Sequence, residues 1–205
     1  MSNNLQTLEK RPLKDWEKIF QQHQFLVLPG YQNSEPSHWQ SIWERQFPKQ
    51  FKRVEQDDWE NPMVDQWTKR IDEYVEKAET PVVLIGHSLG SNAAVHWALT
   101  SQWVYKVAGM LLVAPADTDH SNIPAVAQFG SVPLEPLPVK SIVVASINDP
   151  HAVISRQAAF AAYWGSKFKT VGYKGHINAL SGLDEWQEGI TYLLELIREE
   201  NNVAM

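Results

Sequence analysis

The stretch "PVVLIGHSLGSNAAVHWAL", residues 81–99, constrains the fold most. Val82 to Ile85 form an unbroken β-branched and aliphatic run that ends at Gly86. A strand with one solvated face alternates polar and apolar residues; a run without alternation suits a strand covered on both faces. A small-residue pattern follows at once and reads as a buried helix from Ser88 to Trp103.

The rest of the chain repeats this alternation. Strands are predicted at 25–28, 51–56, 81–86, 107–115, 141–146 and 168–173. Helical patterns lie at 37–47, 63–78, 153–165 and 182–200, and Trp16 and Phe20 suggest a further helix before the first strand. In 63–78 the apolar positions 63, 64, 67, 71, 74, 75 and 78 make one amphipathic stripe. Strand–helix alternation throughout implies a mostly parallel sheet with helices on both faces. The expectation is a three-layer α/β/α sandwich of about six strands, one domain over 1–205, with 1–24 as an N-terminal extension. In such sheets ligands bind beyond the carboxyl ends of the strands. The long irregular segment 115–138, with five prolines, either borders that edge or is a plain crossover.

Composition narrows the function classes. With 205 residues, 43% apolar and 20% charged, the chain reads as a globular protein. A formal charge of −6 without a Lys/Arg cluster points away from nucleic acid. The absence of cysteine excludes disulfides, thiolate metal sites and a cysteine nucleophile. The polar start "MSNNLQTLEKRPLKDWEKIF" lacks a continuous apolar stretch of signal-peptide length, and no run approaches the roughly 18 apolar residues of a membrane span. A cytoplasmic location without membrane contact is expected. The nine tryptophans are expected to pack helices onto the sheet rather than line a pocket.

Gly86-His87-Ser88-Leu89-Gly90 matches G-x-S-x-G, the nucleophile elbow of α/β-hydrolases. Its setting, after an apolar strand and before a small-residue helix, is the one the motif requires. The serine sits in a strained turn that lifts its hydroxyl above the sheet edge. Side chains two residues either side would collide with the neighbouring strand and helix, so glycine is needed at both. A serine nucleophile needs a base, and the base an orienting acid. Asp149 follows the strand at 141–146 and His176 follows the strand at 168–173, which gives the order Ser88, Asp149, His176. Asp117 and Asp119, one strand earlier, are rival acids; Asp57 and Asp58 follow a strand on the other side of the elbow. His23 precedes a strand, His96 lies within the helix, and His87 packs beside the serine. His38, His120 and His151 fall in or near site-side loops, where they either touch substrate or face solvent.

The amide of Leu89, at the helix start, is one expected oxyanion donor. The loop "LPGYQNSEPSHW" after the first strand is expected to supply the other, from Tyr31 or, failing that, Gln32, with Gly30 allowing close approach. Gly30, Gln32, His87 and Trp59 are candidate pocket residues, although for Trp59 and Pro62 anchoring the next helix on the sheet is the preferred reading.

The stretches "LPGYQNSEPSHWQ", "QDDWENPMVDQW", "VVLIGHSLGSNAAVHW", "ASINDPH" and "GHINALSGLDEWQEG" resemble the small serine hydrolases related to retinoblastoma-binding protein 9. "DWENPMVDQW" is the more specific of these, because generic hydrolases lack it. The resemblance implies a minimal α/β-hydrolase fold without a large lid, and Ser88, Asp149 and His176 as the triad. The L-x-C-x-E motif of the name-giving member is absent, since there is no cysteine, so retinoblastoma-type binding is not expected. The expected activity is cleavage of a small carboxylic ester, thioester or amide through an acyl-enzyme. No metal or cofactor is expected, and the chain is read as a monomer or homodimer. The rival readings are a non-catalytic protein-binding member of the same fold and acyl transfer or another reaction on the same triad.

Overall fold

The structure is a computed structural model that describes residues 19–198. Among them, six strands form one sheet: β1 (Gln24–Leu28), β2 (Phe51–Arg53), β3 (Val82–His87), β4 (Val107–Val113), β5 (Ser141–Ala145) and β6 (Lys167–Thr170). All neighbours pair in parallel, in the order β2-β1-β3-β4-β5-β6. The helices are α1 (Trp39–Gln46), α2 (Val64–Glu76), α3 (Leu89–Thr100), the one-turn α4 (Pro124–Ala127), α5 (Ile154–Trp164) and α6 (Gln187–Arg198).

Successive strand residues point to opposite faces, and both faces are covered. Leu26, Val82, Leu84, Met110 and Val143 join the core under α2, α3 and α5. Phe25, Val83, Ile85, Leu111 and Val144 join the core under α1 and α6. Two-sided burial is why the β3 sequence lacks polar alternation. In α2 only Trp67, Ile71 and Val75 are buried, one stripe at i, i+4, i+8, whereas α3 is buried nearly all round. Tryptophans serve this packing as expected: Trp67, Trp97 and Trp164 lie in one core, Trp39, Trp43 and Trp186 in the other.

Several ends differ from the sequence reading. The last helix starts at Gln187 rather than 182, because Asp184 (φ 48°) and Trp186 (φ 41°) turn left-handed. That turn sets the Trp186 ring 4.8 Å from Trp39 and 5.8 Å from Trp43. The edge strands β2 and β6 stop early; beyond Thr170, Gly172 at φ 72° takes the chain out of the sheet. Phe20 is buried against Phe25, Phe47 and Phe51, so the segment before β1 closes the core there. Trp16 and the rest of the proposed N-terminal helix up to residue 18 lie outside the described residues.

From β1 the chain steps outward to β2, then returns across β1 to β3 and steps the other way. The order reverses between β1 and β3. The two strands stay paired through Leu28 and Gly86, and in such sheets the ligand crevice lies just beyond the carboxyl ends at this reversal.

Candidate functional site

Ser88 directly follows β3, at this crevice, with φ 52° and ψ −123°. Such a conformation costs a non-glycine residue about 1–3 kcal/mol and persists only where the surroundings enforce it. Here the Ser88 amide donates to Val113 O at 2.9 Å, and Ser88 O accepts from Ser91 N at 3.0 Å. The flanking glycines are required by contact. A Cβ on Gly86 would lie 2.6 Å from Ser91 Cα, and one on Gly90 would lie 2.0 Å from Leu28 O. The helix therefore sits directly on the end of β1, as the motif reading anticipated.

Asp149 and His176 follow β5 and β6, whose carboxyl ends lie on the same sheet edge. The buried Asp149 carboxylate accepts from His176 Nδ1, at 2.9 Å to Oδ1 and 3.0 Å to Oδ2. The His151 amide donates to Oδ1 at 2.9 Å and Gln157 Nε2 to Oδ2 at 3.1 Å. This fixes the imidazole tautomer: Nδ1 carries the proton and Nε2 is left as the acceptor. Ser88 and His176 line one cavity of about 300 Å³.

The rival acids are engaged elsewhere. Asp117 accepts two hydrogen bonds from Arg156, both at 2.8 Å, and Asp119 accepts a third at 3.0 Å. Burial pushes the Asp117 carboxyl up, but the Arg156 guanidinium and His120 outweigh it and hold it below the usual carboxylate value. His120 thus pairs with Asp117 rather than facing the cavity. Segment 115–138 borders the site, because Ala116, Ser121, Ile123 and Val126 form one wall.

On the opposite wall, Gly30 packs so close to the elbow that a Cβ there would be 2.9 Å from Ser88 Cβ and 3.3 Å from Leu89 N. The Leu89 amide is the first of α3 and has no intrahelical acceptor. Tyr31 and Gln32 also line the cavity, but the Gln32 amide is taken by Trp59 O at 3.1 Å. That contact corrects the place of Gln32 as a substitute oxyanion donor. Trp59 itself is not brought to the cavity: its ring packs edge-on against Trp67 at 5.5 Å, which is the anchoring role.

Histidines surround His176. His87 stands 4.9 Å away on one side and His151 4.4 Å on the other, ring centre to ring centre. His38 lies 4.7 Å from His87 and is buried, where the sequence left solvent exposure open. Burial, with Arg53 and His176 nearby, lowers the His38 pKa to about 3; burial likewise keeps His87 neutral, well below the usual histidine value. His151 lines the cavity, while His23 and His96 do not.

Sequence reasoning missed Arg53 and Gln40. Arg53 donates to Asn33 Oδ1 (2.8 Å), Ser34 O (3.1 Å), Ser41 Oγ (2.7 Å) and Glu44. It thereby holds the loop in which Gln32 (φ 65°) and Asn33 (φ 66°) are left-handed. No motif signals these residues; their partners are set by the fold.

A parallel sheet crossed at its switch point by a strained serine, with an Asp–His pair on the same edge, defines the α/β-hydrolase class. The serine hydrolase family matches residues 25–195. A protein described as a YdeN-like hydrolase, from Pectobacterium atrosepticum, is 35% identical with a TM-score of 0.80, covering 89% of this chain and 94% of that one. The ydeN gene product of B. subtilis is 17% identical (TM-score 0.71), covering 86% and 99% respectively. Est1E of Butyrivibrio proteoclasticus, in a structure with ferulic acid bound, shares the fold at 13% identity (TM-score 0.60; 85% and 89% covered). Comparison with curated proteins gives no match. The chain belongs to the serine hydrolase family, within the α/β-hydrolase superfamily, and is a hydrolytic enzyme. No helix among the described residues is long and apolar enough to cross a membrane.

Proposed function

We propose that the protein cleaves small carboxylic esters through an acyl-enzyme on Ser88. The observation that carries this reading is the clasp of Asp149 on His176 Nδ1 beside a serine in elbow geometry. His176 Nε2 takes the Ser88 proton as Oγ attacks the acyl carbonyl. The Leu89 and Tyr31 amides receive the developing oxyanion. His176 then protonates the leaving alcohol and activates the water that releases the acid. Asp149 holds the tautomer and stabilises the imidazolium.

The cavity supports a short acyl group. About 300 Å³ is at the small end for ligand pockets. Ile123 and Val126 offer an apolar wall for the chain, and Gln32, Asn33 and Asn178 a polar one for the leaving group. Esters are favoured over amides because alcohols leave more easily than amines. The test is a panel of p-nitrophenyl acetate, butyrate and palmitate with a matched thioester and anilide. The expected order places acetate or butyrate first. Highest kcat/KM on palmitate would refute the short-acyl reading, and no turnover of any member would refute the esterase reading.

A further inference from the structure

Two consecutive carbonyls of the loop that carries His176 are held by side chains from other elements. His87 Nε2 donates to His176 O at 2.9 Å, and Trp39 Nε1 donates to Ile177 O at 2.8 Å. Ile177 sits at φ 49°, a conformation that β-branched residues rarely adopt. A loop strained in this way keeps its shape only while its surroundings enforce it.

Residues beside Trp39 reach the other parts of the site. Gln40 Nε2 donates to Leu28 O at 3.3 Å and Ile85 O at 3.1 Å, bridging the ends of β1 and β3, and Gln40 Oε1 accepts from Ser34 Oγ at 2.8 Å. His38 caps α1: its Nδ1 accepts from the Gln40 amide at 3.2 Å, and its ring packs on His87. All four side chains are buried. One helix terminus therefore meets the base loop, the serine strand and the strand that leads into Gly30.

We propose that Trp39 and His87 are positioning residues that fix His176 relative to Ser88, with Gln40 fixing the strand ends that carry Ser88 and Gly30. The inference rests on the hydrolytic reading of Ser88, Asp149 and His176. Trp39 and His87 act through the loop backbone. Hydrogen bonds that served folding alone would change stability when removed. Bonds that aim the base change the rate of the folded enzyme.

The test compares His87→Leu, His87→Gln and Trp39→Phe in the full chain. Glutamine offers an amide donor near the place of Nε2; leucine fills similar space without one. The readouts are kcat and KM on p-nitrophenyl acetate, the fluorophosphonate labelling rate, the urea midpoint, and the low-field proton resonance of the His176–Asp149 bond. His87→Leu and Trp39→Phe should lower kcat and labelling about ten- to a hundredfold, with KM changed less than about twofold and the resonance shifted or broadened. His87→Gln should recover much of the His87→Leu loss. Folded His87→Leu and Trp39→Phe that label at the wild-type rate, with only the urea midpoint lowered, would overturn the proposal. So would His87→Gln as impaired as His87→Leu. If Trp39→Phe fails to fold, the two His87 variants decide. A wild type that takes no label and turns over no ester would refute the hydrolytic reading instead; the resonance in His87→Leu would still report whether His176 had moved.

Discussion

Replacing Gly90 with alanine tests the close packing that the serine turn depends on. The added Cβ would lie 2.0 Å from Leu28 O and 2.5 Å from Pro29 O. Both are backbone atoms at the end of β1, so no flexible side chain can swing away. Reaching an ordinary contact of about 3.4 Å requires α3 and β1 to separate by about 1.4 Å. The same strand end leads into Gly30, which abuts Ser88, so the shift also displaces the Tyr31 amide from the elbow. Misplacement of about 1 Å at a reacting centre costs about a hundredfold in rate, and overpacking costs about 1–3 kcal/mol of stability. Gly90→Ala should therefore lower kcat/KM on p-nitrophenyl acetate about a hundredfold or more and lower urea stability by that amount. Gly165→Ala is the control. It sits at φ 68° at the α5 C-terminus with nothing within 4 Å of the added Cβ, so it should cost about 1 kcal/mol of stability and leave kcat/KM unchanged. Wild-type kcat/KM in Gly90→Ala, or equal losses in both variants, would show that the Gly90 contact with β1 does not hold the serine turn.

Further outcomes follow from the acids and the buried histidines. Asp149→Asn should lower kcat/KM about 10³–10⁴-fold by allowing the wrong imidazole tautomer. Asp117→Asn should keep kcat/KM within about threefold and instead cost about 1–2 kcal/mol, discounted because Arg156 is partly exposed; ester kinetics and urea denaturation separate the two. Asp117 has a lowered folded pKa, so its contribution is present above the unfolded value, about 4, and is lost as pH falls through the folded one. The stability gap between wild type and Asp117→Asn should thus hold at pH 7 and 5 and narrow below about pH 4. His38 also has a lowered folded pKa, about 3. The unfolded chain takes up its proton near 6.5, so His38 alone should lower stability with acid between those values by about 1.4 kcal/mol per pH unit, beside the slope that buried His87 adds. His38→Asn keeps an N-cap acceptor and should make the urea-stability slope between pH 6 and 4 shallower while leaving the share of His87; an unchanged slope would contradict the buried neutral ring of His38.

The strand–helix order and the serine turn were legible because both rest on local chemistry: apolar runs, glycine spacing and the residues that follow each strand. Asp149 was favoured on that basis, but Asp117 stayed a rival because it too follows a strand end. The Arg156 guanidinium, on α5, occupies Asp117, and the His176 ring meets Asp149. The contacts of Trp39 with Ile177 and of Gln40 with Ile85 join residues far apart in sequence, and no spacing rule announces them. Trp59 kept a second reading as pocket wall beside the preferred one as anchor, because a sequence does not say which way an indole turns. The start of α6 was misplaced because left-handed Asp184 and Trp186 break the helix without a glycine or proline to mark it.

The most direct test of Ser88 as an activated nucleophile is the mass of the protein after incubation with a fluorophosphonate, with Ser88→Ala and His176→Ala in parallel. One adduct per chain is expected at Ser88, absent in Ser88→Ala and lost or greatly slowed in His176→Ala. A folded wild type that takes no adduct, or an adduct that persists in Ser88→Ala, would contradict it.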